Sequence, residues 1–348
     1  TSAHARANGA SAAALATMSR LRADFVDLGV LGRGGFCKVF KVISRLDGSQ
    51  YAVKRTERKL QSERERREAL REVQAMAGLD GGADRGGEHV VRYFGCWMEY
   101  DHLYIQLELC DTTLSALFAE CVESRARESA DAERGAGELT KRKTFGQKEI
   151  EKVLRHVASA LAFAHARNVA HLDVKPDNVL VRDGVYKLAD WGRAAPVDGV
   201  GYVGEPSGVG AKKQRLVSKP VSVEEGDSRY LAPELCNGEP YDEKADIWAF
   251  GVTLIELCLL QHPFAGSKSQ AALVMKIMRA APPPIPHHYS KPLGRLLQSC
   301  MQRHAAHRPS AHQLLSIPLL RQRAAESPPG GGLNLLDLLP PLHAAHRP

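Results

Sequence analysis

The stretch HLDVKPDN, residues 171–178, decides the fold of this chain, and the polar cluster ADWG, residues 189–192, follows it closely. The residues between them form two short apolar runs on either side of the turn residues Asp183 and Gly184. Such runs around an Asp-Gly pair are typical of a tight β-hairpin. A hairpin returns the chain on itself, so the sequence predicts that the two polar clusters lie side by side.

Three side chains of these clusters, Asp173, Asn178 and Asp190, carry the oxygen ligands that a hard divalent cation requires. Phosphoryl transfer needs that cation, a base near the attacking hydroxyl and a positive charge near the transferred group. We therefore predict that Asp173 is the base and that Lys175 neutralises the transferred phosphate. Asn178 and Asp190 are predicted to hold magnesium. The alternative is a solvated loop between a helix and a strand, but the further motifs below favour the catalytic interpretation.

The composition is that of a folded protein with 348 residues, of which 44% are hydrophobic and 25% charged. The formal net charge of +7 could favour acidic partners, although a mixed solvated surface explains it equally well. No compact basic module or base-stacking pattern indicates nucleic-acid binding. The 7 cysteines are dispersed without a CxxC pair, which predicts reduced thiols in the cytosol or nucleus.

Two stretches of the chain, residues 1–20 and 245–260, are candidates for a secretory signal and a membrane span, and neither has the required pattern. Residues 1–20 are rich in alanine but lack the apolar core of a secretory signal. The longest apolar stretch, residues 245–260, contains Asp246 and Glu256. It is too short and too polar to span a bilayer, so it predicts a buried helix.

A glycine-rich stretch near the start, Gly32–Val39 (GRGGFCKV), matches the loop that lays backbone N–H groups over the phosphates of ATP. The strand sequence Ala52-Val53-Lys54 follows at the spacing of a phosphate-binding lysine. Cys37 stands where such loops usually have a third glycine, a place where small residues are tolerated. The combination predicts an ATP site more strongly than the glycines alone would.

Residues 57–76 have the pattern of a charged helix. Glu72 lies 18 residues after Lys54, among the apolar positions of this helix. That placement suits an ion pair that orients the lysine toward the α- and β-phosphates. Glu68 is the alternative partner.

The rest of the chain adds two insertions and two flexible ends to this plan. Residues 1–24 predict a flexible arm, and residues 321–348 form a Pro-, Gly- and Leu-rich tail. Polar residues at about 120–144 predict a disordered insertion. Residues at about 199–222 predict a solvated insertion, and a nuclear-localisation signal is the alternative for its short basic run at residues 212–215. Between them, residues 147–167 have the apolar periodicity of a core-facing helix.

Three residues further along complete the predicted framework. These motifs resemble those of eukaryotic protein kinases, which implies that Glu234 closes the segment that follows Asp190 and that Arg308 pairs with it. The same resemblance implies that Asp246 accepts backbone N–H groups of the loop that carries Asp173, which would account for a carboxylate among apolar residues.

Taken together, these motifs resemble those of eukaryotic protein kinases over about residues 25–320. The resemblance implies an α+β, bilobal fold with a small β-rich N-lobe, residues 25–107, and a large helical C-lobe, residues 112–320. A hinge at residues 108–111 joins the lobes. HLDVKPDN with Leu172 in place of the usual Arg, YIQLELCD and EEGDSRYLAPE are similar to the Wee/Myt family, and to its plant-type members most of all.

The resemblance also implies the ligands and their contacts. ATP and Mg²⁺ are the expected cofactors, with the Glu108 carbonyl and the Cys110 amide at the adenine edge, so that side-chain identity there would matter little. The other expected ATP-site residues are Leu31, Gly32, Gly34, Val39, Ala52, Lys54 and Glu72. Glu225, Asp227 and Glu234 would belong to the activation segment.

The family phosphorylates a tyrosine in the glycine-rich loop of cyclin-dependent kinases and so delays mitosis. The resemblance thus implies a cyclin-dependent kinase as partner, a nuclear location and a monomer. Lys175, in contrast, follows the serine/threonine-kinase pattern. Leu172 removes a basic partner for an activation-loop phosphate, and the acidic residues 224–227 could replace that phosphate.

Trp191 replaces the usual Phe or Leu and is expected to fill the hydrophobic stack behind the site beside Met76 and His171. Three alternatives to the family assignment remain. An initiation-factor kinase shares the hinge pattern but would keep Arg before the base. A pseudokinase scaffold or a pure binding module would not need the complete set of catalytic residues.

Overall fold

The computed structural model describes residues 19–79, 86–133, 144–197, 227–279 and 281–320. Its strands and helices form a β-rich N-terminal lobe and a helical C-terminal lobe. This is the bilobal α+β architecture predicted from the sequence, which is therefore confirmed. The second predicted insertion, the Leu-rich tail and Glu225 lie outside the described residues.

The N-lobe is built on a five-stranded antiparallel sheet with the strand order β1-β2-β3-β5-β4. The strands are β1 Phe25–Arg33, β2 Cys37–Ser44, β3 Gln50–Thr56, β4 Tyr93–Glu99 and β5 His102–Glu108. The short helix α1, Arg20–Asp24, precedes the sheet, and helix α2, Glu63–Leu79, lies between β3 and β4.

The C-lobe contains the longer helices and the hairpin of the candidate site. Its helices are α3 Leu114–Glu133, α4 Gln147–His165, α5 Pro233–Cys236, α6 Lys244–Leu259, α7 Gln270–Arg279, α8 Lys291–Cys300 and α9 Ala311–Leu315. Its strands are β6 Thr112–Thr113, β7 Val169–Ala170, β8 Val179–Arg182, β9 Val185–Leu188 and β10 Ala195–Pro196. The predicted hairpin is present, with β8 and β9 antiparallel.

Two helices dominate the core of the C-lobe. Helix α4 buries one apolar face, as its periodicity predicts, and α6 is buried over nearly its whole length. No helix among the described residues is long and apolar enough to cross a membrane. The buried residues of α6 lie in the core of the C-lobe, and Asp246 near its start contacts the loop that carries Asp173.

Helix α2 begins six residues later than the sequence pattern suggested, at Glu63 instead of position 57. A reciprocal cap explains this start, since the Ser62 side chain accepts a hydrogen bond from the Glu65 amide at 3.2 Å. The Glu65 carboxylate accepts the Ser62 amide in return at 2.9 Å. Two N–H groups that a helix start leaves open are satisfied in this way.

Two segments predicted to lack structure are partly helical. Helix α3 continues through the first predicted insertion to Glu133, while residues 134–143 lie outside the described part. Its polar residues are helix formers, and the Glu123 and Arg127 side chains pair at 3.2 Å one turn apart. In the predicted arm, residues 20–24 form α1, which the Ser19 side chain caps.

Candidate active site

The candidate site begins with the lysine of strand β3. The Lys54 ammonium lies 2.6 Å from Glu72 Oε1 and 2.8 Å from Asp190 Oδ1. The predicted contact with Glu72 is therefore present. Glu68, the alternative, points to the surface, where it lies 3.8 Å from Arg64. One cation thus joins strand β3, helix α2 and the cluster after the hairpin.

The electrostatics of this trio keep the lysine charged. Burial by itself would lower the pKa of Lys54, but the carboxylates of Glu72 and Asp190 raise it above its ordinary value. Burial raises the pKa of Glu72 although Lys54 opposes the shift. Burial would also raise the pKa of Asp190, but its ion pair and hydrogen bond with Lys54 lower it overall. The result is a fixed positive charge, as phosphate binding requires.

The glycine-rich stretch lies beside Lys54 in the N-lobe sheet. In the β2–β3 ladder Val39 is paired with Lys54, and in the β1–β2 ladder Gly32 is paired with Val39. The turn between β1 and β2 is closed by a hydrogen bond of 2.8 Å from the Gly34 amide to the Cys37 carbonyl. Leu31, near the end of strand β1, is exposed.

Ala52 is buried and is paired with Leu107, the residue before the predicted hinge. At the hinge itself, burial raises the pKa of the Cys110 thiol to about 12, so it is neutral. The adenine contacts expected of the Glu108 and Cys110 backbone stay a prediction, but the Glu108 side chain has contacts of its own. Its buried carboxylate accepts the Arg92 amide at 3.0 Å and pairs with Arg182 and Lys187, each at 3.0 Å. It connects the end of β5 to the hairpin of the C-lobe.

Asp173 is surrounded by donors. Its Oδ2 accepts hydrogen bonds from Lys175 Nζ and Asn178 Nδ2, each at 2.9 Å, and Asn178 also donates to its carbonyl at 2.8 Å. Among the described residues no hydrogen bond reaches Oδ1, the oxygen that remains for an incoming hydroxyl. This geometry suits a general base because the carboxylate is held in one orientation.

Arg193 is a residue of the site that the sequence analysis missed. Its Nη1 lies 3.8 Å from Asp173 Oδ1, and both Nη1 and Nη2 are buried without a hydrogen-bond partner among the described residues. A buried guanidinium with open N–H groups beside a carboxylate is suited to hold an anion or a polar substrate atom. Its position three residues after Asp190 was the only available signal.

The hairpin brings the second polar cluster to the first. The Ala189 amide donates to the Asn178 carbonyl at 2.8 Å, directly beyond the ladder in which Val179 is paired with Leu188. Asp190 follows with a φ of 62°, a left-handed conformation that turns the chain toward Lys54.

The residues present fit a magnesium ion that is completed by substrate phosphates. Asp190 offers carboxylate oxygens, and the Asn178 side chain, whose nitrogen faces Asp173, has its amide oxygen left over. No group of three or more His, Cys, Asp or Glu residues among the described residues could hold a metal by itself. Mg²⁺ commonly binds through one or two protein ligands plus phosphate oxygens, and it would neutralise charge on the transferred group.

Asp246 holds the start of the loop that carries Asp173, as the resemblance to protein kinases implied. Its two oxygens accept the amides of His171 at 2.8 Å and Leu172 at 2.7 Å, and His165 Nε2 lies 2.8 Å away. Leu172 has a φ of 61°, a strained conformation for a branched side chain. The two amide bonds hold this strained turn in place next to Asp173.

Trp191 fills the space behind the site, as the sequence suggested. It is only 1% exposed and meets the His171 ring edge-on, with the ring centroids 4.5 Å apart. Met76 of helix α2 is buried in the same core cluster. The indole Nε1 has no hydrogen-bond partner within the described ranges, so the larger ring is accommodated there with one unsatisfied donor.

The predicted ion pair of Glu234 and Arg308 is present, and it is bidentate. Arg308 Nη1 and Nη2 donate to the two carboxylate oxygens at 2.7 and 2.8 Å. Both side chains are buried. The pair ties helix α5 to the loop before α9.

Asp227 is the part of the predicted acidic run that the structure describes. Its carboxylate accepts a hydrogen bond of 2.8 Å from Arg229 Nε. Burial would raise the pKa of Asp227, but its bonds with Arg229 lower it overall. Next to it, the buried Tyr230 hydroxyl donates to Glu256 of helix α6 at 2.6 Å. These contacts anchor the segment before Glu234.

A family model for the protein kinase domain matches residues 25–320. This chain therefore belongs to the protein kinase family. Within that family, it is 37% identical over 306 residues to the Wee1-like protein kinase of Arabidopsis thaliana, covering 87% of this chain and 51% of that protein. Its resemblance to the Wee family is thereby confirmed.

Two further relatives agree with this assignment. The Wee1-like protein kinase of Oryza sativa is 36% identical over 305 residues, which cover 87% of this chain and 48% of the relative. The membrane-associated tyrosine- and threonine-specific cdc2-inhibitory kinase of Drosophila melanogaster is 31% identical over 309 residues, covering 88% and 49%. The chain spans about half the length of these relatives.

Proposed function

We propose that this kinase transfers the γ-phosphate of ATP to a tyrosine in the glycine-rich loop of a cyclin-dependent kinase and thereby delays mitotic entry. The similarity to Wee1-like kinases carries this proposal. The name of the Drosophila relative, which states tyrosine and threonine specificity and inhibition of cdc2, supports it. A monomer that acts in the nucleus fits the same role.

In this proposal the residues act in three groups. Asp173 accepts the proton of the attacking hydroxyl at its open Oδ1, and Lys175 stabilises the charge that develops on the phosphate. Asn178 and Asp190 hold magnesium. The contacts around Asp173 support this division, since Lys175 and Asn178 both bind the opposite oxygen, Oδ2.

The nucleotide would lie between the glycine-rich stretch and the hinge. Lys54, held by Glu72, would contact the α- and β-phosphates, while the Glu108 carbonyl and the Cys110 amide would bind the adenine edge. Leu31, Gly32, Gly34, Val39 and Ala52 would enclose the remainder. The position of Lys54 between two carboxylates supports this arrangement.

Substrate choice is proposed to depend on the folded partner. Lys175 follows the pattern of serine/threonine kinases, so the catalytic loop alone does not select a phenol. Binding energy from contacts remote from the reacting atoms can place a tyrosine oxygen against Asp173. An intact cyclin-dependent kinase should therefore be a better substrate than a short peptide from its glycine-rich loop.

Phosphoamino-acid analysis tests the proposal. The purified kinase would be incubated with Mg-ATP and a catalytically inactive cyclin-dependent kinase, with the short peptide in parallel and the Asp173→Asn variant as the control. We expect phosphotyrosine on the intact protein and little on the peptide. Phosphate on serine or threonine alone would overturn the proposed substrate while leaving the protein kinase assignment intact.

A further inference from the structure

A groove of about 700 Å³ lies on the N-lobe, away from the nucleotide cleft. Phe40 and Tyr104 contribute to its lining, together with residues of helix α1 and the start of β1. Arg55, which also lines the groove, follows Lys54 in strand β3. Because successive side chains of a strand point to opposite faces, the groove lies on the face of the sheet opposite to the candidate active site.

Four cationic side chains, Arg22, Lys38, Arg45 and Arg55, line this groove, against a single acidic one, Asp27. In the part of the chain that the structure describes, none of the four forms an ion pair with a carboxylate. The Asp27 carboxylate instead accepts the Gly29 amide at 2.8 Å. The groove therefore presents an excess of uncompensated positive charge.

Two of these cations lie next to each other on neighbouring strands of the sheet. Lys38 and Arg55 are directly paired in the β2–β3 ladder, and both lie over the ring of Phe40, at 4.9 and 5.3 Å from its centroid. Like charges directly opposite one another destabilise a sheet, although contact with an aromatic face offsets part of the cost. In addition, Arg55 Nε is buried and has no hydrogen-bond partner in the described part of the chain. An anionic ligand would relieve both deficits.

The walls of the groove are held in place before any ligand arrives. The Arg20 amide at the start of helix α1 donates to the Glu99 carboxylate at 2.8 Å, and the Arg20 guanidinium lies 4.8 Å from the centre of the Trp97 ring. At the other side, Arg45 Nε donates to the Arg22 carbonyl at 3.2 Å. A prearranged site loses less conformational entropy when it binds.

We propose that this groove binds an extended acidic peptide segment of a protein partner. Carboxylates of the peptide pair with Lys38 and Arg55, and apolar side chains on the same face of the peptide pack against Tyr100, which is 64% exposed at the rim, and Val26. Side chains on one face of an extended strand recur at about 6.5–7 Å, so acidic and apolar residues two positions apart reach the groove together. The mixed charged and aromatic lining favours a peptide over a bare phosphate backbone or a lipid surface.

Fluorescence anisotropy would test this proposal without ATP. The probe is a fluorescein-labelled peptide in which glutamate and phenylalanine alternate at every second position with serine between them, and the control probe has glutamine in place of glutamate. The acidic probe should bind, more weakly as salt is added, and the control probe should not. Arg55→Glu should weaken binding by at least about tenfold, a loss of about 1.4 kcal/mol.

The same substitution has a second readout, because Arg55→Glu replaces a like-charge pair by an opposite-charge pair with Lys38. It should leave the melting temperature unchanged or raise it while binding is lost. If that variant does not fold, Arg45→Glu in an exposed turn serves in its place. Lys291→Glu, at the exposed start of helix α8 in the other lobe, is the matched control for net charge.

Equal loss of binding in the Lys291→Glu control would overturn the proposal, since the effect would then be one of overall charge. Binding of both probes alike would also overturn it. Single-stranded RNA and vesicles containing phosphatidylserine complete the comparison. If either binds more tightly than the acidic peptide and depends on Arg55 in the same way, the groove is not a peptide site.

Discussion

Single residues decide the chemistry of the site, and their environments differ in ways that separate their roles. Asp173 is held by donors on one oxygen only, whereas Asp190 and Glu72 share the Lys54 cation. The first arrangement leaves an oxygen for a proton, and the second fixes a charge. Substitutions at Asp173 and Glu72 should therefore fail in different ways.

Asp173→Asn should lower the turnover number by about 10²–10⁴-fold, the usual contribution of a general base. ATP affinity should change little because Asp173 acts at the hydroxyl and not at the nucleotide. Steady-state kinetics with an ATP-binding titration measure both quantities. A variant that retains a tenth of the wild-type rate would show that Asp173 is not the base.

Glu72→Gln should lower turnover by about 100-fold, because loss of the charge on Glu72 frees Lys54 and misplaces the phosphates. Glu68→Gln is the matched control on the same helix, where the contact with Arg64 at 3.8 Å is exposed and contributes at most about 1 kcal/mol. Rates of both variants should be compared at saturating ATP. Equal losses, or an unchanged Glu72→Gln enzyme, would contradict the role of the pair.

The elements of the fold explain how these residues meet. The β8–β9 hairpin returns the chain so that Ala189 bonds to Asn178, and helix α6 supplies Asp246 to the strained turn at Leu172. The hairpin was predictable from a local pattern, an Asp-Gly turn between apolar runs. The contact of Asp246 joins residues remote in sequence, and it was predicted from the resemblance to protein kinases.

Other features of the elements could not be predicted because they depend on contacts remote in sequence. The only sequence feature that marks Arg193 is its position three residues after Asp190. Its proximity to Asp173 appears only in the folded chain. The Glu108 carboxylate likewise meets Arg182 and Lys187 only after the lobes have come together. The helical course of α3 was missed because its polar residues favour a solvated helix and disorder alike.

The stability of the catalytic loop should depend on pH through Asp246. Burial would raise the pKa of Asp246, but the hydrogen bonds and charge of His165 and the amides of the loop lower it overall, below the ordinary value of 3.8. Because the folded pKa is the lower one, this stabilisation is present above the ordinary value and is lost as the pH falls through the folded pKa.

Asp246→Asn should therefore lower the free energy of unfolding by about 1.5–3 kcal/mol at neutral pH, the usual contribution of hydrogen bonds to a charged group. The difference from wild type should shrink in acid. Urea unfolding followed by tryptophan fluorescence over a pH series measures it. A difference that grows as the pH falls would contradict the assignment.

At the scale of the whole molecule, the kinase fold was predictable because its motifs occur in a fixed order along the chain. The substrate was not, since no residue spacing in the chain specifies it and only the family resemblance indicates it. For the activation segment, the chemistry of single residues supports a prediction about its regulation. Leu172 is buried and offers no charge to a phosphate, while Asp227 already carries a charge that Arg229 stabilises.

The kinase should remain active without phosphorylation of its activation segment. Treatment with a phosphatase, followed by removal of the phosphatase, should leave the specific activity close to that of a mock-treated sample. Mass spectrometry would verify that the segment carries no phosphate. Loss of most of the activity, restored by autophosphorylation, would show that some other cation has taken over the role of the missing arginine.

The central claim is that this kinase modifies one tyrosine of a folded cyclin-dependent kinase. The most direct measurement is the transfer of labelled phosphate from ATP to a catalytically inactive cyclin-dependent kinase and to its variant with phenylalanine in place of the glycine-rich-loop tyrosine. We predict rapid labelling of the first protein and almost none of the second. Equal labelling of both proteins would contradict the claim.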